Sequence, residues 1–410
     1  MKKQLLLLGL TFGLFTGFYN AQECQDGRYH QVLFPSVTKI ADVKYGENQK
    51  PVLGGSNLQE LHVDIYTPDG DTKTDRALVI LAHGGSFIGG DKSDIQVVCE
   101  EFAKRGFVAV SLQYRLIDVT AAIASGDLGD YFKKGVVRAM HDMRAGIRFF
   151  RKSVVEDGNP YGIDPDVILT GGFSAGAILS NHVTYLDDEA KIPADLVTYI
   201  AAQGGLEGNS GNPGFNSASG MSISWCGAIL DTTFMSPNAQ PYIGFHTDGD
   251  QTVPMLEGEP NIGLSIPVTI QGDSLMYQRA QNVGIESFYK TYFNNDVHCG
   301  FDQIETTLMT FDFIYDQLCG VISSVETEEN INFTIYPNPA NQSFFVQVPD
   351  NNYDWTVSVT NLMGQEIFMT SLDAVKDRIE IESSSFAKGI YLVNLTSKNG
   401  ERATQKLIIE

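Results

Sequence analysis

Basic residues are scarce in this chain: 28 Lys and Arg stand against 50 Asp and Glu, a formal net charge of -22 over 410 residues. Such an acidic surface repels phosphate backbones and anionic bilayers, which excludes nucleic acid as a partner on electrostatic grounds. Cysteine is sparse as well. Cys24, Cys99, Cys226, Cys299 and Cys319 are scattered without a C-x-x-C pair, so a zinc site is not expected. Long apolar runs are missing after the N-terminus, so no membrane span is expected in the mature chain. What remains is a sequence with 43% hydrophobic residues, enough to bury a catalytic domain of roughly 300 residues and a smaller unit beside it.

The first residues have the layout of an export signal. Lys2 and Lys3 precede an apolar stretch over 5–18, and Ala21 offers a cleavage point, so 1–21 is expected to be a signal peptide. Cys24 also allows a lipoprotein, although Ala21-Gln22-Glu23 lacks the small apolar run that lipid attachment uses. Export to an oxidising compartment permits up to two disulfides. The expected pairs are Cys299 with Cys319 and Cys24 with Cys99, leaving Cys226 over.

From about 60 to 320 short β-branched runs alternate with helical periodicity. Residues 61–66 read as an edge strand, and 77–82 (ALVILA) and 107–112 as strands buried on both faces. Further strands are expected at 167–171, 198–202, 227–230, 242–246 and 285–291. Helices are expected at 94–105, 136–152 and 175–186; the second carries Val136, Met140, Met143, Ile147 and Phe150 at three- and four-residue spacing. This alternation implies an α/β fold with a mainly parallel sheet covered on both faces. Stretches 117–135, 206–220 and 251–272 interrupt the pattern as insertions, either surface decoration or walls of a binding site. Residues 321–332 are polar and acidic, like a linker, and 333–410 switch to short alternating strands, the pattern of a small all-β sandwich.

Gly172-Phe173-Ser174-Ala175-Gly176 is a G-x-S-x-G motif between an expected strand and an expected helix, the context that lifts a serine hydroxyl onto a sharp turn. His83-Gly84-Gly85-Ser86-Phe87 follows the strand ALVILA. A Gly-rich loop there can aim backbone N–H groups at a developing oxyanion; the expected donors are Gly85 and Ser86, joined by Ala175. A serine also needs a base. Of His30, His62, His83, His141, His182, His246 and His298, only His298 falls in a late loop between a strand and a helix. It is the expected base, with His83 read as structural. The acid that orients it is expected at Asp250, with Asp248 as its competitor.

In order and spacing, HGGSFIGGDKSD, QYRL, DPDVILTGGFSAG and DGDQTVP resemble the carboxylesterase and hormone-sensitive-lipase-like branch of the α/β-hydrolases. That resemblance implies the α/β-hydrolase fold over 22–320 and the chain order Ser174, Asp250, His298 for a catalytic triad. Ser86 stands where the family has a further glycine, and the family's cap domain is not evident before His83. The last residues resemble a type A sorting domain of the type IX secretion system through IYPNPA (335–340), NLMGQE (361–366), KGIYLV (388–393) and QKLII (405–409). This implies handling by the type IX machinery and a secreted or cell-surface location reached through the periplasm of a Gram-negative bacterium. A carbohydrate-binding sandwich is the alternative, though the segment has a single tryptophan, Trp355. The expectation is a serine carboxylic-ester hydrolase needing no cofactor and no metal, with an ester substrate: acetylated or feruloylated polysaccharide, lipid or polyester. A serine peptidase on the same fold and a catalytically silent binding protein are its rivals.

Overall fold

A computed structural model describes Cys24 and residues 26–320, 333–348, 355–361, 366–372, 378–397 and 402–409. The expected signal peptide and linker lie outside the described residues. The chain divides into two compact units, Met1–Gly320 and Val321–Glu410.

The first unit holds strands β1 (Val37–Val52), β2 (Gly55–Pro68), β3 (Arg76–Ala82), β4 (Val108–Leu112), β5 (Ile163–Phe173), β6 (Ser222–Trp225), β7 (Ala228–Ile229), β8 (Tyr242–Thr247), β9 (Glu257–Gly258), β10 (Ile270–Gly272) and β11 (Ser287–Tyr292). Its helices are α1 (Gln96–Ala103), α2 (Val119–Ala124), α3 (Leu128–Glu156), α4 (Ala175–Tyr185), α5 (Val197–Ala202), α6 (Asp273–Val283) and α7 (Gln303–Cys319). Eight strands form one sheet in the order β1-β2-β4-β3-β5-β6-β8-β11. β1 and β2 pair antiparallel, as do β2 and β4, and every later pairing is parallel. One apolar core lies on each face of the sheet, the first including Ile80, Val110, Met143 and Leu179, the second Val79, Phe102, Phe107 and Phe311. This is the α/β-hydrolase architecture.

Four expectations need correction. Residues 61–66 are not the sheet edge; β1 pairs outside β2, and its largely exposed, charge-bearing residues suit an edge that must not recruit another strand. Residues 198–202 are helical, because Leu196 and Ile200 bury one face four residues apart in spite of the strand-favouring Val, Thr and Tyr between them. Residues 227–230 do not enter the main sheet; β7 pairs with β10 in a separate three-stranded sheet, and β6 takes the main-sheet position. The stretch 117–135 is not an open loop. Asp118 caps α2 through the Ala121 amide and Asp127 caps α3 through the Asp130 amide, so α3 begins eight residues before the expected start.

The disulfides also differ from expectation. Cys24 bonds Cys319 and Cys226 bonds Cys299, while Cys99 is a free, buried thiol. Cys299 precedes the start of α7 and Cys319 is its last residue, so the 17-residue helix sets them apart by about 25 Å. A disulfide needs Cα atoms within about 7 Å. Cys99 is fully buried on α1 in the second core, and the Cys24 sulfur is committed to Cys319.

The second unit is all-β: β12 (Thr334–Tyr336), β13 (Ser343–Gln347), β14 (Trp355–Asn361), β15 (Glu366–Leu372), β16 (Arg378–Glu382), β17 (Gly389–Ser397) and β18 (Arg402–Ile409). A β12-β13-β16 sheet and a β15-β14-β17-β18 sheet share a core of Phe344, Val346, Trp355, Val357, Val393 and Leu407. Among the described residues no helix is long and apolar enough to cross a membrane.

Non-reducing peptide mapping of the intact protein checks the pairing. Peptides bearing Cys24 and Cys319, and Cys226 and Cys299, are expected linked, with Cys99 alkylated only after unfolding; a Cys299–Cys319 peptide would contradict it.

Candidate active site

β5 runs into α4 through a single residue, Ser174, with φ 53° and ψ -114°. A non-glycine residue takes such a backbone only under constraint. Here the constraint is packing against the end of β3. A Cβ on Gly172 would lie 2.3 Å from the Ala82 carbonyl oxygen, and one on Gly176 2.1 Å from the same oxygen. Only glycine at both positions lets the turn sit this close, and the Ser174 amide is held by the Trp225 carbonyl at 2.8 Å.

The turn abuts the loop that leaves β3. A Cβ on Gly84 would lie 3.4 Å from the Cβ of Ser174. Gly85, Ser86 and Phe87 follow with φ of 107°, 55° and 60°. Among the described residues, the amides of Gly85 and Ser86 donate to no backbone or side-chain acceptor. Ala175 opens α4, so its amide has no intrahelical partner. Three backbone donors thus flank the serine without an internal partner. His83 has a structural place: Nδ1 is 2.7 Å from the Gly84 carbonyl, and the ring stacks on Tyr114.

His298 and Asp250 come to the same sheet end from loops after β11 and β8. His298 Nε2 is 2.8 Å from Ser174 Oγ, and Nδ1 is 2.6 Å from Asp250 Oδ2. A carboxylate oxygen only accepts, so Nδ1 carries the proton and Nε2 is left to accept from the serine hydroxyl. Asp250 Oδ1 takes the amides of Thr252 and Val253 at 2.9 and 3.1 Å. Burial opposes its charge, but hydrogen bonds to His246 and His298 prevail and hold the carboxyl well below its usual range. Asp248 faces elsewhere, accepting the amides of Asn294 and Asn295 in a neighbouring turn.

Sequence patterning did not single out the groups behind Asp250. His246 on β8 is fully buried. Its Nδ1 is 2.9 Å from Asp273 Oδ2; its Nε2 is 2.9 Å from the Val253 carbonyl and 3.3 Å from Asp250 Oδ2. Both ring nitrogens face acceptors, so both donate, and the ring is an imidazolium. Burial disfavours that cation, but hydrogen bonds to Asp250 and Asp273 raise its pKa to about 9. Asp273 in turn accepts Ser224 Oγ at 2.6 Å, Tyr242 Oη at 2.6 Å and the Gly227 amide at 2.8 Å. The signal available in sequence was the spacing of His246 and Asp250 across the end of one strand.

The Cys226–Cys299 disulfide joins the residue after β6 to the residue after His298, tying the histidine loop to the strand whose end holds the Ser174 amide. Cys226, His298 and Cys299 cluster closely enough to suggest a metal site, but both sulfurs are spent in the disulfide and offer no thiolate.

An apolar pocket, partly open to solvent, adjoins Ser174. Residues of two of the sequence insertions line it, among them Phe132, Pro260, Ile262, Ile266 and Val268. The third, 206–220, is pinned to α3 instead: Arg148 donates to the carbonyls of Glu207 and Gly211, and Ser210 Oγ donates to Asp142.

The pKa of His246 gives a signed expectation. Its folded value lies above the unfolded one, about 6.5, so the stabilisation is full below that pH and is lost as pH rises through about 9. Urea unfolding of the wild type is expected to show stability declining across this window. His246→Asn, which removes the cation bonded to both Asp250 and Asp273, is expected to lose roughly 3–5 kcal/mol at neutral pH and to show no such decline. Gly176→Ala is expected to destabilise by roughly 2 kcal/mol or more, since its Cβ meets backbone; unchanged stability would contradict the close approach.

Residues 63–209 match the BD-FAE family, a stretch that includes Gly85, Ser86, Ser174 and Ala175 and stops before Asp250 and His298. Residues 334–410 match the secretion system C-terminal sorting domain. An endo-acting ulvan lyase of Formosa agariphila is 31% identical over 94 residues, 22% of this chain and 18% of that protein. Beta-agarase A of Zobellia galactanivorans is 36% identical over 86 residues, 21% of this chain and 14% of its own. The chain thus spans less than a fifth of the length of these curated relatives. Among solved structures, Thermogutta terrifontis esterase 2 phosphorylated by paraoxon aligns with a TM-score of 0.46 at 19% identity, covering 66% of this chain and 94% of that one. The apo form aligns with a TM-score of 0.47 at 18% identity, covering 70% and 96%. Within this chain, then, 63–209 are similar to the esterase-like α/β-hydrolases of the BD-FAE family and 334–410 to the C-terminal sorting domains of secretion systems.

Proposed function

We propose that this protein is an exported serine carboxylic-ester hydrolase, with Ser174 as nucleophile, His298 as general base and acid, and Asp250 as the group that orients His298. The observation that carries this assignment is the chain of hydrogen bonds, 2.8 Å from Ser174 to His298 and 2.6 Å from His298 to Asp250, ending on a serine in a strained strand-to-helix turn.

In the first half-reaction Ser174 Oγ attacks the ester carbonyl carbon while its proton passes to His298 Nε2. Negative charge gathers on the former carbonyl oxygen, where the amides of Gly85, Ser86 and Ala175 receive it. The C–O bond to the alcohol breaks, and His298 returns the proton to the departing oxygen. In the second half-reaction water attacks the acyl-enzyme carbonyl and gives its proton to His298; the bond to Ser174 Oγ breaks, His298 returns the proton to that oxygen, and the acid leaves. The Asp250 carboxylate, held ionised, favours the imidazolium that forms twice per cycle.

The C-terminal sorting domain suits delivery by type IX machinery to the cell surface or beyond, after passage through the periplasm of a Gram-negative bacterium. Lys2 and Lys3 ahead of the apolar run over 5–18 suit the first step of that route.

Ser174→Ala is expected to lower kcat/KM for p-nitrophenyl acetate by roughly 10⁴-fold or more with its circular dichroism unchanged. A fluorophosphonate probe is expected to label the wild type once and this variant not at all. Activity retained in Ser174→Ala would refute the assignment; turnover of peptide amides in preference to esters would move it to the peptidases.

A further inference from the structure

Resting on the esterase reading above, we infer that His246 is a positioning residue of the reaction: through the Asp250 oxygen it shares with His298, its positive charge keeps the base unprotonated at rest and so sets the acid limit of catalysis.

One oxygen serves two imidazoles. Asp250 Oδ1 is taken up by the amides of Thr252 and Val253. Oδ2 faces the two rings, His298 Nδ1 at 2.6 Å and His246 Nε2 at 3.3 Å. The rings differ in access to water. The His298 side chain is 24% exposed and that of His246 is fully buried. The first must gain and lose a proton in every half-reaction, while the second is sealed from solvent.

The surroundings of His246 hold its proton in place. Asp273, the first residue of α6, lies 2.9 Å from Nδ1. It is itself fixed by Ser224 on β6, by Tyr242 on β8 and by the Gly227 amide. Among the described residues, Asp273 therefore meets the triad only through His246. The other titratable groups around this ring are Tyr242, Tyr289 on β11 and Tyr185 on α4; burial raises all three, so they are neutral. Burial opposes the charge on His246 and the two carboxylates outweigh it, so the ring keeps its proton to about pH 9.

The consequence for His298 is coulombic. At neutral pH Asp250 Oδ2 already answers one positive ring. When His298 takes up a proton, a second cation meets the same oxygen, its nitrogen no more than about 6 Å from that of the first. Repulsion at that range, with an effective dielectric constant of about 20, displaces a titration by roughly one to two pH units. His298 Nε2 thus stays open to the Ser174 proton in more acidic water than it would beside an acid with no second cation. The same repulsion makes the protonated ring a stronger acid, which favours return of the proton to the departing oxygen.

The test is the pH dependence of kcat/KM for p-nitrophenyl acetate, measured on the full-length protein and on His246→Gln and Asp273→Asn. Loss of the cation is expected to move the acid limb of the profile to higher pH by about one unit or more. On that limb the variant then turns over roughly tenfold less, relative to its own plateau. Asp273→Asn is expected to shift the limb in the same direction, because it removes the anion that keeps His246 charged. A plateau that falls while the limb stays in place would mean that His246 only packs behind the acid, and overturns the proposal; so does a limb that moves to lower pH. Should both variants fail to fold, NMR of the histidine rings in the wild type decides. At about pH 8, where an ordinary imidazole is neutral, one ring with both nitrogens protonated and shielded from exchange is expected, and its absence overturns the proposal. Absence of ester hydrolysis by the wild type at every pH strikes the esterase reading instead, while the NMR result still judges the charge on His246.

Discussion

The contact on which the rest depends is the approach of two glycines to one carbonyl. Gly172 and Gly176 lie so near the Ala82 oxygen that a methyl group on either would sit 2.3 or 2.1 Å from it. That approach locks the end of β5 and the start of α4 against the end of β3. It forces Ser174 into a backbone conformation with φ 53° and brings the loop 83–87 alongside. Serine hydroxyl and candidate oxyanion donors therefore meet through a single packing constraint, not through separate adjustments of loops. The sheet order explains why this happens at the middle of the sheet: β3 and β5 are neighbours, with parallel strands on either side.

A second constraint is electrostatic and lies below the first. Asp250, His246 and Asp273 form a buried row of hydrogen-bonded groups, continued outward by His298 and Ser174. The His246 imidazolium holds the Asp250 carboxyl below its usual range, and the hydroxyls of Ser224 and Tyr242 anchor the far end. On the proposed mechanism, a proton accepted by His298 would meet an acid that is already fixed in place. The site would then reorganise little during proton transfer, which is the condition under which fixed dipoles and charges stabilise a transition state. The disulfide from Cys226 to Cys299 acts in the same sense, limiting the travel of the loop that carries His298.

Much of this was legible in the sequence because the signals were local. G-x-S-x-G between a strand and a helix, a Gly-rich loop after ALVILA, and an acid and a histidine after late strands are each readable within a few residues. What escaped notice was hidden by burial of polar groups. β6 reads as SISW, and Ser222 and Ser224 look like loop residues; in the fold both are buried and satisfied, Ser222 by Asn181 and Ser180, Ser224 by Asp273. His246 does sit near the end of β8, but its burial against Asp273 carries no local signal. The start of α3 is concealed differently: Phe132 and Val136 continue its apolar stripe, but they are interspersed with Lys133, Lys134 and Gly135 behind the cap at Asp127. The disulfides were illegible in principle, since sequence distance does not show which ends a 17-residue helix holds apart.

The central claim is that Ser174 carries the acyl group between two half-reactions. It is tested most directly by quenching the wild-type protein in acid during turnover of a slowly deacylated ester and mapping the adduct by mass spectrometry. The account requires one acyl group, on the peptide that contains Ser174, disappearing once substrate is exhausted. An unmodified protein under conditions of a kinetic burst, or an acyl group on any other residue, would contradict it.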